Sequence, residues 1–592
     1  MKLSPPLPQR LSLALQDQLS EALGLQQSGQ LDQAYRAFEA VLEQVPDHPE
    51  TLHLLGLLAA RRGDPAWAAE LLARAIAGQP ANAESHRGLG LALVVLGRLD
   101  QALAAFDRAI TLAPHGARTH FNRANLLVLL GRPDDALAGF EQSLRLYPRD
   151  PETSYNFAVA LNASRRPTEA LALLDELVAS HPTFARGQNL RGIILMQMCR
   201  PVEACDCFES AKVADPTFAD AHNNFGSALR ELGQHEAALA AYRHALALRP
   251  DFAEAHWNIG VALLLLGDFA AGWAGYEWRK QVDPTHFQTR IPFATWNGDV
   301  DIAGRSIFVR CEQGFGDTLQ FCRYATALHQ RGALVVLSVQ SPLRALLDRV
   351  LVGVTVIDEQ DSPPDCDFFC DLLSLPRAFR TNGTTVPTMP WPITPSPGHQ
   401  RAWQRRLGPG HRSRIGIAWS GNPKHTNDHS RSIPLAMWRS LIAHDAEWVA
   451  VQKDLRETDA EVLKLFGRVS HFGEDLQDFD DTAALIAMLD IVITVDTSVA
   501  HLAAAMGKPV WLLLAFTPDW RWLIDRAETP WYPSIRPFRQ PRPGDWPGVL
   551  AEVGQALAAL TNPTGDLTNF RQPGACGKTR PSAPGPRPRR VR

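Results

Sequence analysis

No apolar run in this sequence approaches the roughly 20 residues that a membrane-spanning helix needs. The longest, at 261–266 and 510–516, are far shorter, and the first residues, MKLSPPLPQRLSLAL, lack a charged region followed by a sufficient apolar stretch. Neither an export signal nor a membrane span is expected. Cysteine is scarce too: there are eight in 592 residues, and neither Cys205/Cys207 nor Cys366/Cys370 has CxxC spacing. That argues against a disulfide scaffold and for reduced thiols, hence a cytoplasmic location. Excess positive charge is also missing. Lys+Arg number 59 against 63 Asp+Glu, a net charge of −4, so there is no polycation to hold nucleic acid. What the chain has is length, enough for three or four folded units of roughly 150 residues each.

It also has a period. Prolines stand at 46, 80, 114, 148, 182, 216, 250 and 284, each 34 residues after the last. Twelve residues before the first seven lie Ala34, Ala68, Ala102, Ala136, Ala170, Ala204 and Ala238, with Gly272 in the eighth unit; small residues there let two helices approach closely. Gly29, Gly63, Gly97, Gly131, Gly233 and Gly267 mark a turn between the helices, where a left-handed cap favours glycine. Each unit therefore reads helix, turn, helix.

This pattern resembles the tetratricopeptide repeat; the third unit carries the repeat's Gly90, Ala102, Phe106, Ala109 and Pro114. Eight units over 15–284 are expected to stack into a superhelix with a concave surface for an extended protein segment. In the first helix of each unit, position six is Asn122, Asn156, Asn224 and Asn258 in four of the eight, and position four is His86, His120, His222 and His256. A carboxamide offers a donor and an acceptor, so the asparagines form a candidate peptide groove. The plainer reading is that they contact the neighbouring repeat. For the histidines the plainer reading is preferred, since no Cys/His cluster has metal spacing.

After Pro284 the period stops. Short β-rich runs (SIFVRC, LVVLSVQ, VTVI, RIGIAW, EWVAVQ, IVITV, PVWLLLAF) alternate with helical stretches, and a Pro-rich segment at 387–398 divides them. This is an α/β pattern, with two Rossmann-like domains flanking a cleft and ligands at the carboxyl ends of the strands. A helix at 546–560 closes it, and the rest, 561–592, is Pro/Gly-rich and reads as a disordered basic tail.

Three motifs can carry chemistry. EQGFGDT (312–318) follows the first strand. There Gly314 and Gly316 let backbone approach a ligand, and Asp317 is placed either to take a proton from an acceptor hydroxyl or to cap its own helix. WSGNPKHTNDHSRSIP (419–434) gathers Lys424, His425, His429 and Arg431, a set able to neutralise a diphosphate; the alternative is a solvated charged loop. IVITVDTSVAHLAAAMGKPVWLLL (491–514) places Asp496, Thr497 and Ser498 at a helix start suited to an anion, with His501 one turn in as a ligand contact or a packed residue. Lys453, after EWVAVQ, lies at another strand end. The aromatic stretch at 517–533 reads either as a contact to the nucleotide base or as packing at the domain interface; packing is preferred, with Trp520 and Arg521 the two residues set apart from it.

In this order the three motifs resemble the ADP-heptose:lipopolysaccharide heptosyltransferases, and still more the bacterial tetratricopeptide-repeat proteins that end in such a module. The overall layout also resembles O-linked N-acetylglucosamine transferase. The resemblance implies a GT-B fold, with an acceptor domain at 306–395 and a nucleotide-sugar domain at 396–560. A leader at 1–14 and a linker at 285–305 complete the expected division. It further implies Asp317 as the base, Arg431 or Lys424 as the diphosphate-binding cation, and Asp496, Thr497, Ser498 and His501 on the donor loop; Lys453 joins the donor side by its strand-end position alone. The expected function is transfer of a sugar from a nucleotide-diphosphate sugar to a protein or glycan, with no metal or other cofactor. Two alternatives are a repeat-based scaffold with a degenerate GT-B module and a nucleotide-sugar epimerase.

Overall fold

The computed structural model describes residues 12–287, 291–389, 392–410, 412–425, 427–524 and 526–560. The chain forms two compact units, 1–216 and 217–592. The first holds six helical repeats; the second holds the last two repeats and the whole α/β part. The tail at 561–592 and most of the leader lie outside the described residues. Ser12 caps a helix at Leu13–Gln27, so the first repeat begins two residues earlier than its spacing predicts.

Inside the repeats the small residues do what their spacing requires. All seven alanines are fully buried. A Cβ on Gly272 would come within 2.7 Å of Leu264 Cγ and 2.9 Å of its backbone nitrogen, so the eighth repeat closes only with glycine there. The turn residue is left-handed in every repeat. Six are the predicted glycines, and the other two are Arg165 and Cys199, both at φ 58°. A side chain in that region is strained by roughly 1 kcal/mol. Arg165→Gly is therefore expected to stabilise the array by about 1 kcal/mol, read as a higher denaturation midpoint; an unchanged or lowered midpoint would show that the turn carries no strain.

The α/β part is built from two all-parallel sheets. The first contains β1 (Ala294–Thr295), β2 (Ser306–Arg310), β3 (Leu334–Val339), β4 (Val354–Asp358) and β5 (Phe368–Asp371), in the order β1-β5-β2-β3-β4. The second contains β6 (Arg414–Ala418), β7 (Glu447–Ala450), β8 (Val469–His471), β9 (Ile491–Val495), β10 (Val510–Leu514) and β11 (Ile535–Arg539), in the order β11-β10-β9-β6-β7-β8. β6, β9 and β10 are buried throughout, as parallel strands covered on both faces must be. The segment 285–305 is not only a linker. It supplies β1, paired to β5, and its Trp296 and Ile302 are buried in the first domain's core.

The last repeat is built into the same core. Its first helix ends in Leu264 and Leu265, and its second, Phe269–Tyr276, contributes Phe269, Trp273 and Tyr276; all five share one apolar cluster with Ile307 and Val309 of β2. The two helices touch backbone to backbone, since a Cβ on Gly260 would lie 2.5 Å from the Gly275 carbonyl carbon. Just beyond, Arg279 is buried and forks onto Glu312, with Nε 2.8 Å from Oε2 and Nη2 2.7 Å from Oε1. Glu312 also accepts from the Leu373 amide at 2.9 Å. The glutamate that opens EQGFGDT therefore anchors the end of the repeats to the loop after β2.

Candidate functional site

Every motif read from the sequence lies where a strand gives out into a loop or helix. The loop after β2 leads into the helix Phe315–Phe321, and β9 leads through Asp496 and Thr497 into the helix Ser498–Ala505. These two helix starts meet. A Cβ on Gly316 would stand 2.9 Å from His501 Cδ2, so glycine is what allows the approach. Phe315 packs on Phe479 of the second domain, ring centroids 5.0 Å apart.

At this junction Asp317 is held by both domains. Its Oδ2 accepts from the Gly314 amide at 2.9 Å, and its Oδ1 is ion-paired with Arg521 Nη2. Asp317 therefore caps its own helix, while 16% of its side chain stays exposed. Burial raises its pKa above the ordinary aspartate value, while the Arg521 cation and the Gly314 N–H pull the other way. A partly exposed carboxylate with a raised pKa is a stronger proton acceptor than an ordinary aspartate.

The second domain brings the basic loop to the same place. The loop is pinned at both ends: Asp459 accepts from Trp419 Nε1 at 2.9 Å and from the Leu435 amide at 3.2 Å. Within it, Arg431 Nη1 donates to the Asp496 carbonyl at 3.1 Å, and its buried Nε makes no hydrogen bond. Gly421 makes room for this guanidinium, since a Cβ there would lie 2.5 Å from Nη2. His425 has its pKa lowered by burial and by Arg431, with Asp519 and Asp317 opposing. Asp496 is pushed up to about 6, by burial first and then by the Asp519 carboxylate. Asp317, His425, Arg431, Asp496, Asp519 and Arg521 therefore share one electrostatic environment. Thr497 stands at the N-cap position of the helix Ser498–Ala505 without a side-chain capping bond, and the first amides of that helix supply the partial positive charge of a helix start.

Three expected site residues lie elsewhere or are already engaged. His501 is buried and neutral, its pKa driven well down by loss of hydration; Nδ1 lies 3.2 Å from the Tyr532 hydroxyl and its ring packs near Trp522. It is a packed joint residue, not an open donor contact, because the close approach of Gly316 covers it. Lys453 Nζ donates to the Gln477 carbonyl at 3.3 Å beyond β7, two strands from β9. Asn258 is buried, and its Nδ2 donates to Asn223 Oδ1 of the preceding repeat at 3.0 Å, so it serves the repeat contact and not a groove. Lys424 is exposed on the basic loop. Asn122, Asn156 and Asn224 are half-buried, and Asn224 Oδ1 lies 3.5 Å from Asn223 Nδ2.

The repeat histidines have a structural use. His86, His120 and His256 reach the carbonyls of Pro80, Pro114 and Pro250 at 3.1, 2.9 and 2.8 Å, tying each helix to the proline that ends the unit before. Asp519 is an addition that the sequence did not single out, and Arg521, set apart there from the packing role, joins the site through its pairs with Asp317 and Asp519. Among the described residues, no group of three or more His, Cys, Asp or Glu is arranged to hold a metal ion, and no helix is long and apolar enough to cross a membrane.

Comparison with known proteins accords with this division. Tetratricopeptide-repeat families match residues 19–77, 53–117, 127–194 and 226–267, and the family described as glycosyltransferase family 9 (heptosyltransferase) matches 475–539. Protein FlbA of Caulobacter vibrioides is 26% identical over 303 residues, which cover 46% of this chain and 49% of FlbA; the chain thus spans about half the length of that relative. Among solved structures, YrrB, described as a TPR protein with an unusual peptide-binding site, is 25% identical over 32% of this chain and 96% of its own, with a TM-score of 0.28. A tetratricopeptide repeat protein from Parabacteroides merdae is 15% identical over 43% of this chain and 100% of its own, with a TM-score of 0.36. The architecture is a tetratricopeptide-repeat array followed by a glycosyltransferase-type α/β module.

Proposed function

We propose that this repeat protein with a glycosyltransferase-type module moves a sugar from a nucleotide-diphosphate donor to a protein or glycan acceptor. The donor sits on the second domain, its diphosphate against Arg431 and the start of the helix Ser498–Ala505. The acceptor enters from the first domain, and Asp317 takes the proton of its attacking hydroxyl as the bond to the sugar forms and the nucleoside diphosphate leaves. One observation carries this reading: Asp317 from one sheet and Arg431 and Asp496 from the other come together at strand ends, and Asp496 lies in the segment matched by family 9.

The leaving diphosphate needs cations, and Arg431, aided by Lys424, supplies them without a metal ion, with the His425 imidazole as a neutral hydrogen-bonding neighbour. The repeats bind a protein partner or the acceptor itself, and the chain works in the cytoplasm with its thiols reduced. The test is calorimetry of the full chain with ADP, GDP, UDP, CDP and dTDP in the presence of EDTA. One diphosphate should bind, and Gly421→Ala, which displaces the Arg431 guanidinium, should weaken it about tenfold, the equivalent of about 1.4 kcal/mol. Binding of none of the five would remove the donor site, and binding only when metal is added would remove the metal-free reading.

A further inference from the structure

Arg521 has more partners than a packing role needs. Its Nε donates to Gln320 Oε1 at 2.8 Å, its Nη1 to Asp519 Oδ1 at 2.9 Å, and its Nη2 pairs with Asp317 Oδ1. The guanidinium lies over the Trp520 ring, 4.3 Å from its centroid. Trp520 in turn meets Trp273 of the last repeat edge-on at 5.1 Å and Tyr276 at 5.7 Å. The loop is held on its other side as well. Leu523, a buried residue at φ 54°, is kept in that conformation with its carbonyl bonded to Arg539 Nη1 at 2.9 Å and that of Trp522 to Arg539 Nη2 at 2.7 Å. Strain of this kind persists where surrounding structure over-determines it.

We propose that Arg521 is the positioning residue for Asp317: it reaches across from the second domain and fixes the carboxylate between its own Nη2 and the Gly314 amide. The proposal rests on Asp317 being the base. Each carboxylate oxygen has two lone pairs. Arg521 occupies one on Oδ1 and Gly314 one on Oδ2, which leaves each oxygen able to accept an incoming hydroxyl proton. Because Arg521 belongs to the second domain and Asp317 to the first, the base is set only when the domains are together. Trp273 and Tyr276 form the wall behind Trp520, so the last repeat contributes to the aim of this group and is more than an attached binding module.

The groups that face Asp317 are Arg521, Asp519, His425 and Tyr276. Arg521 is the nearest cation and favours the charged carboxylate. An arginine beside an aspartate lowers its pKa by about 1–3 units. Removing it should therefore raise the pH at which Asp317 loses its proton.

The direct test is a carbon-13 NMR titration of the full chain with carboxyl-labelled aspartate, in which Asp317→Asn identifies the Asp317 signal. In Arg521→Gln the midpoint should move upward by about one pH unit or more, and in Arg521→Lys, which keeps the charge, by clearly less. Circular dichroism verifies that each variant is folded; should Arg521→Gln fail to fold, the Arg521→Met/Asp519→Asn double variant is compared with Asp519→Asn alone, so that the two proteins differ only in the cation. An unmoved midpoint in a folded variant lacking the cation overturns the proposal. Failure of the base reading is separate and visible elsewhere, as sugar transfer retained by Asp317→Asn whatever the titration shows.

Discussion

Asp317→Asn is expected to lower sugar transfer by about 10²–10⁴-fold, the usual contribution of a positioned proton acceptor, while the chain stays folded. The amide keeps the shape of the carboxyl but accepts no proton at working pH. Folding should survive for two reasons. Arg521 retains Asp519, 2.9 Å away, so its charge is not left alone. The sign of the Asp317 shift also favours the variant. Its folded pKa is raised, so any stability gained from that shift is present below the unfolded value and is lost as pH rises through the folded one. Above the folded value the ionised carboxylate confers no net benefit through this shift that the amide would forfeit. Denaturation midpoints and transfer rates of the two proteins should therefore separate: nearly equal midpoints and widely different rates. A variant that transfers within a few-fold of the parent would remove Asp317 from the chemistry.

The second large effect concerns stability. Arg279 and Glu312 are almost wholly buried, with side chains 4% and 0% exposed, and they bind each other through two hydrogen bonds. Arg279→Met leaves Glu312 charged and uncompensated, which costs about 3–5 kcal/mol when a buried pair is broken from one side. Replacing both, as Arg279→Met with Glu312→Gln, removes the lone charge and should recover part of the loss. Urea unfolding of the full chain measures both. Because Glu312 opens the loop that carries Gly314 and Asp317, the single variant should also lose sugar transfer at temperatures where the parent is active. A loss below about 1 kcal/mol would mean that the pair is solvated and does not anchor the loop.

Much of this was visible in the sequence where one signal repeats. The 34-residue period fixes the helical repeats because each alanine and turn residue recurs in the same environment. It could not show that Arg165 and Cys199 adopt the same left-handed turn as the glycines, since in those units tertiary packing overrides local preference. The long apolar strands β6, β9 and β10 were legible. The two-residue β1, the four-residue β5 (FFCD) and the three-residue β8 were not, because such short runs lack a usable period; β11 is as long as β9, but Arg536, Pro537 and Arg539 interrupt its apolar character. In the site, Asp317, Arg431 and Asp496 could be named from motif and strand-end position. The partner of Asp317 could not, since Arg521 lies 204 residues away and only the folded chain brings it near. His501 and Asn258 show the reverse limit. Helical position says which way a residue lies on its helix, but not that Gly316 will cover the imidazole or that Asn223 will take the carboxamide.

The most direct measurement is incubation of the full chain with labelled nucleotide-sugars and a lysate of the source organism, run beside Asp317→Asn. One donor should be consumed, label should appear on a protein or glycan, and the variant should leave that donor intact. Consumption of no donor, or equal labelling by parent and variant, would contradict the proposed transfer.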